Sequence, residues 1–192
     1  MARSSQPPSF GGLFDSLPQH RLFIGIWPDA DAVESLARLM ARLRRDELMP
    51  GRPVDPDRLH LTLHHLGDFA DQMPPSLMPS ARTAAATIRL PPFEVVFDRI
   101  GGTKGQFLLR ASDELTALRD FRQALTAALI RAGLRRWTDQ AFTPHITLSY
   151  DLSDTPEILV EPIAWTVREF VLVQSLLGKH RHIRQGSWPI QP

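Results

Sequence analysis

The chain has 192 residues, with 22 Lys and Arg against 21 Asp and Glu, and its 43% apolar and 22% charged content is that of an ordinary globular protein. Such a length buries a good core as one domain or as two fused lobes of about 90 residues each. A net charge of +1 excludes a strong overall field toward nucleic acid or an acidic membrane, so any hold on phosphate must come from a local arginine cluster. The absence of cysteine excludes disulfides, thiolate catalysis and cysteine metal sites.

Residues 1–20, rich in Ser, Gln, Pro and Gly, read as a flexible leader without the apolar core of a signal peptide. No apolar run approaches ~18 residues, so a cytoplasmic protein is expected. The ordered domain, residues 21–192, opens on the apolar run Arg21 to Trp27, a central strand. Pro28-Asp29 starts a helix whose stripe is Val33, Leu36, Met40 and Leu43, ended by Pro50-Gly51-Arg52-Pro53. A strand from Leu59 to Leu66 follows, then a helix within Gln72 to Leu90 whose start is blurred by Pro79. Phe93 to Phe97 and Phe107 to Arg110 read as strands around a Gly101-Gly102-Thr103-Lys104-Gly105 loop. Asp113 to Ala132 is a helix with the stripe Leu115, Leu118, Phe121, Leu125 and Leu129, stopped by Gly133. Phe142 to Tyr150, Ile163 to Val167, Glu169 to Leu176 and His180 to Trp188 are the remaining strands.

Within this order one tetrapeptide occurs twice. His60-Leu61-Thr62-Leu63 returns 85 residues later as His145-Ile146-Thr147-Leu148, each placed on a strand. Side chains alternate along a strand, so each motif presents His and Thr on one face and two aliphatics on the other. The helix starts at Asp29 and Asp113 precede the two histidines by 31 and 32 residues, which points to a duplicated lobe. The natural meeting place of two equivalent polar faces is a cleft between lobes.

The paired motifs, with the context Phe142-Thr143-Pro144 before the second and the opening Arg21-Leu22-Phe23-Ile24-Gly25-Ile26, resemble the two-histidine phosphoesterases. The resemblance is greatest to the bacterial RNA 2',3'-cyclic phosphodiesterases, also labelled 2'-5' RNA ligases. It covers roughly residues 20 to 190. It implies an α+β bilobal fold, two antiparallel sheets facing a central groove with helices outside. It implies His60, His145, Thr62 and Thr147 as catalytic residues, no cofactor and no metal, and RNA ends or cyclic nucleotides as substrates. By analogy His60 is the general acid and His145 the general base, while the threonines donate to phosphate oxygens. One departure stands out: relatives often carry a basic residue just after the second motif, where this chain has Ser149-Tyr150.

Other positions are weighed against plainer roles. His64, on the His60 face by strict alternation, is a candidate substrate contact, as are Phe142, Ser149 and Tyr150; His65 is assigned to the core side. Residues i and i+4 of a strand lie about 13 Å apart, which argues against a zinc set from His60, His64 and His65. Gly101 to Lys104 lacks the spacing of a phosphate loop and reads as a hairpin turn. Arg58, Arg110 and His180-Arg181-His182 are further candidates for phosphate contact. The expected activity is hydrolysis of 2',3'-cyclic phosphate ends to a 2'-phosphate by a monomeric enzyme without a membrane partner. The alternatives are 2'-5' ligation or 2'-5' phosphodiester cleavage in the same groove, or a non-catalytic RNA or nucleotide binder.

Overall fold

The computed structural model describes residues 17–103, 105–138, 141–179 and 181–192. Most of the leader, together with Lys104 and His180, therefore lies outside the described residues. Ahead of the first strand, the Gln19 N–H donates to the Phe69 carbonyl and the Gln19 carbonyl accepts from Leu177.

Two antiparallel sheets form the molecule. The first runs in the order β3 (Leu61–Phe69), β1 (His20–Ile26), β8 (Glu169–Leu176), β9 (Arg181–Pro189). The second runs β2 (Arg52–Pro53), β6 (Ile146–Tyr150), β5 (Gln106–Arg110), β4 (Phe93–Thr103), β7 (Thr155–Val167). The α+β class and the two-sheet architecture expected from the sequence are thus observed. The halves are nevertheless interlocked. β8 and β9, from the end of the chain, complete the sheet begun by β1, while β2 joins the sheet of the second half.

The helices are exchanged as well. α1 (Ala30–Arg45) follows β1 but packs on β7 of the other sheet. α3 (Thr116–Arg131) follows β5, yet its Arg122 and Thr126 bond to Leu63 and His64 of β3, and its Phe121 meets Phe170 of β8 edge-on. α2 (Leu77–Ala85) lies beside α3. The larger of two apolar clusters among the described residues consequently runs through both halves, from Leu22, Ile24 and Ile26 to Phe97, Phe121 and Leu148.

Local chemistry explains the element ends. The Asp29 carboxylate accepts from the Ala32 N–H at 3.0 Å and caps α1, and Arg42, Arg44 and Arg45 sit at its negative end. α3 stops at Gly133 (φ +83°), where Leu134 N–H bonds the Leu129 carbonyl and Gly133 N–H that of Ile130. α2 is shorter than expected: Pro79 is tolerated in its first turn, and it ends where Thr87 bonds back to Ala84.

Two strands are longer than their composition suggests. β4 continues through Gly101 and Gly102, expected to be loop, because a side chain there would collide with β7: a Cβ on Gly102 would lie 2.6 Å from Thr155 Oγ1. β7 likewise begins at Thr155, well before the expected Ile163, on an edge where its side chains stay exposed and leave no apolar alternation to read. Among the described residues no helix is long and apolar enough to cross a membrane.

Candidate active site

The two motif strands, β3 and β6, come close to each other, and His60, Thr62, His145 and Thr147 all line one cleft of about 330 Å³. Each histidine is oriented in the same way. His60 Nδ1 lies 2.7 Å from the Arg58 carbonyl oxygen, and His145 Nδ1 lies 2.7 Å from that of Thr143. A carbonyl only accepts, so each Nδ1 carries the hydrogen, and Nε2 is the nitrogen left for chemistry in the cleft.

A bulge follows each threonine. In β3, Thr62 pairs with Gly25 and His64 with Ile24, so Leu63 is an extra residue. In β6, Thr147 pairs with Leu108 and Ser149 with Phe107, so Leu148 is extra. An inserted residue shifts the alternation beyond it by one. The sequence expectation for His64 and His65 is therefore corrected. His64 is buried, 1% exposed, with its ring bonded to Thr126 of α3, and His65 lines the cleft.

The equivalent pair in the second half behaves alike. Ser149 is fully buried and donates to the Pro50 carbonyl, which corrects its assignment as a substrate contact; Tyr150 lines the cleft. Ser149 instead belongs to a seam that ties the segment before His60 onto β6. Arg52 pairs with Tyr150, Pro53 with Ser149, and the Val54 N–H donates to the Leu148 carbonyl at 2.8 Å. Gly51 (φ +71°) is required there, since a Cβ would lie 2.1 Å from the Tyr150 carbonyl oxygen. Phe142 is also not on the cleft: it packs against the core with the Arg122 guanidinium 4.5 Å above its ring. Arg110 pairs with Glu157 away from the cleft, whereas Arg58 lines it.

On the cleft side of the first sheet, Phe23, Val171 and Val173 form a small apolar patch beneath Trp27. The His60 ring stacks on Phe23 (4.8 Å, 26°) and on Trp27 (5.2 Å, 23°). His182 of β9 meets it edge-on at 5.3 Å. Burial against these rings, opposed only by the Arg58 carbonyl and reinforced by the charges of Arg58, His145 and Arg21, pushes His60 down to about 4. His182 is also pushed down to about 4, by burial and then by its neighbours His60 and Arg58.

Farther along β1 and β3, the cleft carries Arg21 and His65, both bonded to Asp68. Arg21 donates through Nε and Nη2 at 2.8 Å each and His65 through Nε2 at 2.8 Å. These bonds, the Arg21 pair foremost, hold the Asp68 carboxyl down at about 2.

Sequence reasoning missed Arg21, Phe23, His65, Gln106 and Ser175 as cleft residues. For Arg21 and Phe23 a signal existed, their i, i+2 spacing on β1, but the adjacent Leu22, Ile24 and Ile26 obscured it. A larger hollow, about 520 Å³, lies between α1 and β7 and is lined by Arg38, Arg42, Arg45 and Glu161. It contains none of the paired motif residues, so chemistry rather than size identifies the site. Among the described residues no cluster of three or more His, Asp or Glu is placed to hold a metal ion.

The family model described as the 2'-5' RNA ligase superfamily matches residues 20–179. The chain belongs to the 2'-5' RNA ligase superfamily. Among the superfamily's curated relatives, the RNA 2',3'-cyclic phosphodiesterase of Escherichia coli (strain K12) is 31% identical over 185 residues, 91% of this chain and 98% of that protein. Escherichia coli LigT in its apo form superposes with a TM-score of 0.70 at 27% identity, covering 92% of this chain and all of that one. LigT complexed with 3'-AMP gives 0.68 at the same identity and coverage.

Proposed function

We propose that this member of the superfamily is a phosphodiesterase that opens 2',3'-cyclic phosphate ends of RNA or of nucleotides, leaving a 2'-phosphate and a 3'-hydroxyl. The single observation that carries the reading is the matched pair of imidazoles on one cleft, each with Nδ1 tied to a backbone carbonyl and Nε2 available. The name of the Escherichia coli relative supports the same substrate class.

In this mechanism water attacks phosphorus while His145 Nε2 takes its proton. The bond from phosphorus to the 3' oxygen breaks on the opposite side, and His60 Nε2 delivers a proton to that oxygen. Thr62 and Thr147 donate to the non-bridging oxygens, where charge builds in the transition state. No step draws on a metal ion. Since His60 is neutral at pH 7 before substrate binds, its second proton arrives with the anion, whose charge offsets burial and the neighbouring cations. Each imidazole contributes roughly 10²–10⁴ in rate.

The test incubates the protein with an oligonucleotide ending in a cyclic phosphate, a 2',3'-cyclic nucleotide and a 2'-5' dinucleotide. Hydrolysis of the first two to 2'-phosphates, lost in both His60→Ala and His145→Ala, is the expected result. Near wild-type turnover in both variants would refute the assignment. Reaction of the 2'-5' dinucleotide alone would favour the ligase or 2'-5' phosphodiesterase reading, and binding without product a non-catalytic module.

A further inference from the structure

The cleft has a neighbour. A hollow of about 240 Å³ adjoins it, with Arg58 and His182 lining both. Trp27, Asp57, Val173, Arg181 and Arg184 complete its wall, so three arginines and one aspartate line it, with Asp55 a further carboxylate 4.0 Å from Arg58. In a chain whose total charge is only +1, that is a local concentration of positive charge.

Part of this wall is held in place. The Arg184 guanidinium lies 5.7 Å above the Trp27 ring and pairs with Glu169 at 3.3 Å. His182, at the junction, has a buried Nδ1 with no hydrogen-bond partner among the described residues. An unpartnered buried polar atom beside several guanidinium forks suits an oxyanion better than an apolar group.

The chemistry of the substrate says which oxyanion lies within reach. A 2',3'-cyclic phosphate closes the 3' end of its nucleotide, so a strand can continue only through the 5' oxygen. The first charged group met along that path is the phosphate on it. We propose that the Arg58–Arg181–Arg184 hollow binds the phosphate carried by the 5' oxygen of the nucleotide whose cyclic phosphate lies between His60 and His145. The proposal rests on the phosphodiesterase reading and deepens it. The enzyme then favours strand ends and 5'-phosphorylated nucleotides over nucleoside cyclic phosphates with a free 5'-hydroxyl.

Three substrates test this: a 2',3'-cyclic nucleotide with a free 5'-hydroxyl, the same nucleotide with a 5'-phosphate, and a dinucleotide ending in the cyclic phosphate. The second and third are expected to show KM values roughly tenfold lower than the first, as one or two charge-assisted hydrogen bonds allow. Arg181→Gln combined with Arg184→Gln should abolish that advantage and leave turnover of the 5'-hydroxyl substrate unchanged. If the double variant does not fold, each single change is read in the same way.

Equal KM for all three in the wild type overturns the subsite while leaving the phosphodiesterase reading intact. A gain for the dinucleotide alone overturns the phosphate as the group recognised. A variant that weakens all three alike reduces the hollow to a general field and overturns the subsite too. No turnover of any substrate overturns the phosphodiesterase reading itself, and this proposal with it.

Discussion

Leu63 and Leu148 hold equivalent places in the two halves: each is the residue that a bulge inserts directly after the threonine of a repeated motif. Each also has its carbonyl satisfied from outside its own sheet ladder. Leu63 accepts from Arg122 Nε of α3 at 3.0 Å, and Leu148 accepts from the Val54 N–H at 2.8 Å. The bulges turn His65 and Tyr150 toward the cleft and send His64 and Ser149 inward, so the duplication extends beyond the motifs to the residues that follow them.

The Arg122 bond is open to measurement. Arg122→Met keeps much of the packing over Phe142 but leaves the Leu63 carbonyl without that donor. A loss of about 1–3 kcal/mol in urea unfolding is expected, the range for an unsatisfied polar group. Unchanged stability would mean that the bulge does not depend on α3.

Gly25 lies opposite Thr62, and a Cβ there would sit 2.9 Å from the Leu61 carbonyl and 3.4 Å from the rings of Phe23 and Trp27. Gly25→Ala should therefore push β3 away from β1 and disturb the stack that seats His60. The expected cost is about 1–3 kcal/mol, as for overpacking, with a fall in kcat larger than any change in KM. Wild-type kinetics in a correctly folded variant would show that His60 tolerates the displacement.

Protonation of His60 should be coupled to anion binding. Its value of about 4, set by burial, lies below the ordinary imidazole value of about 6.5, so the ring is neutral at pH 5.5 to 6 before an anion binds. Sulfate, whose own charge is constant in that range, should be bound with uptake of a proton. Calorimetry in buffers of differing ionisation enthalpy reads that uptake, and His60→Gln should abolish it. Absence of uptake in the wild type would reverse the roles, making His60 the base and His145 the acid.

His64 supplies a stability test. Thr126 Oγ1 donates its one hydrogen to the Arg122 carbonyl, so it must accept from His64 Nε2–H, while His64 Nδ1 is buried with no partner among the described residues. Burial, with the Arg122 charge adding to it, pushes His64 down to about 4. A folded-state value below the unfolded one means that the unfolded chain binds the extra proton first. The contribution is complete above about pH 6.5, falls as pH drops toward 4 and levels off below. His60 and His182 act in the same direction. His64→Leu should therefore make the decline in Tm between pH 6.5 and 4 shallower; an unchanged slope would show that His64 does not contribute.

The repeated motif, the helix beginning at Asp29 and most strands were legible in the sequence because each is written in local residue types: a capping carboxylate, a stripe of leucines, alternating His and Thr. What escaped detection had no local signature. β2 is two residues long and exists because Gly51 allows its segment to lie against Tyr150. The first half of β7 is exposed at an edge, and Gly101-Gly102 reads as a turn until β7 is seen crossing beside it.

For the site itself, the sequence alone singled out the two histidines and two threonines that line one cleft, since a strand's period of two puts each pair on one face without reference to the rest of the chain. Whether His64 or His65 lines the cleft was decided only by the tertiary structure. A bulge is a relation between two paired strands, and the residue it inserts is identified by its partner rather than by its own chemistry. The aromatic seat of His60 and the arginine hollow beside it have the same origin, because β1, β8, β9 and the turn before β3 meet only once the sheets have assembled.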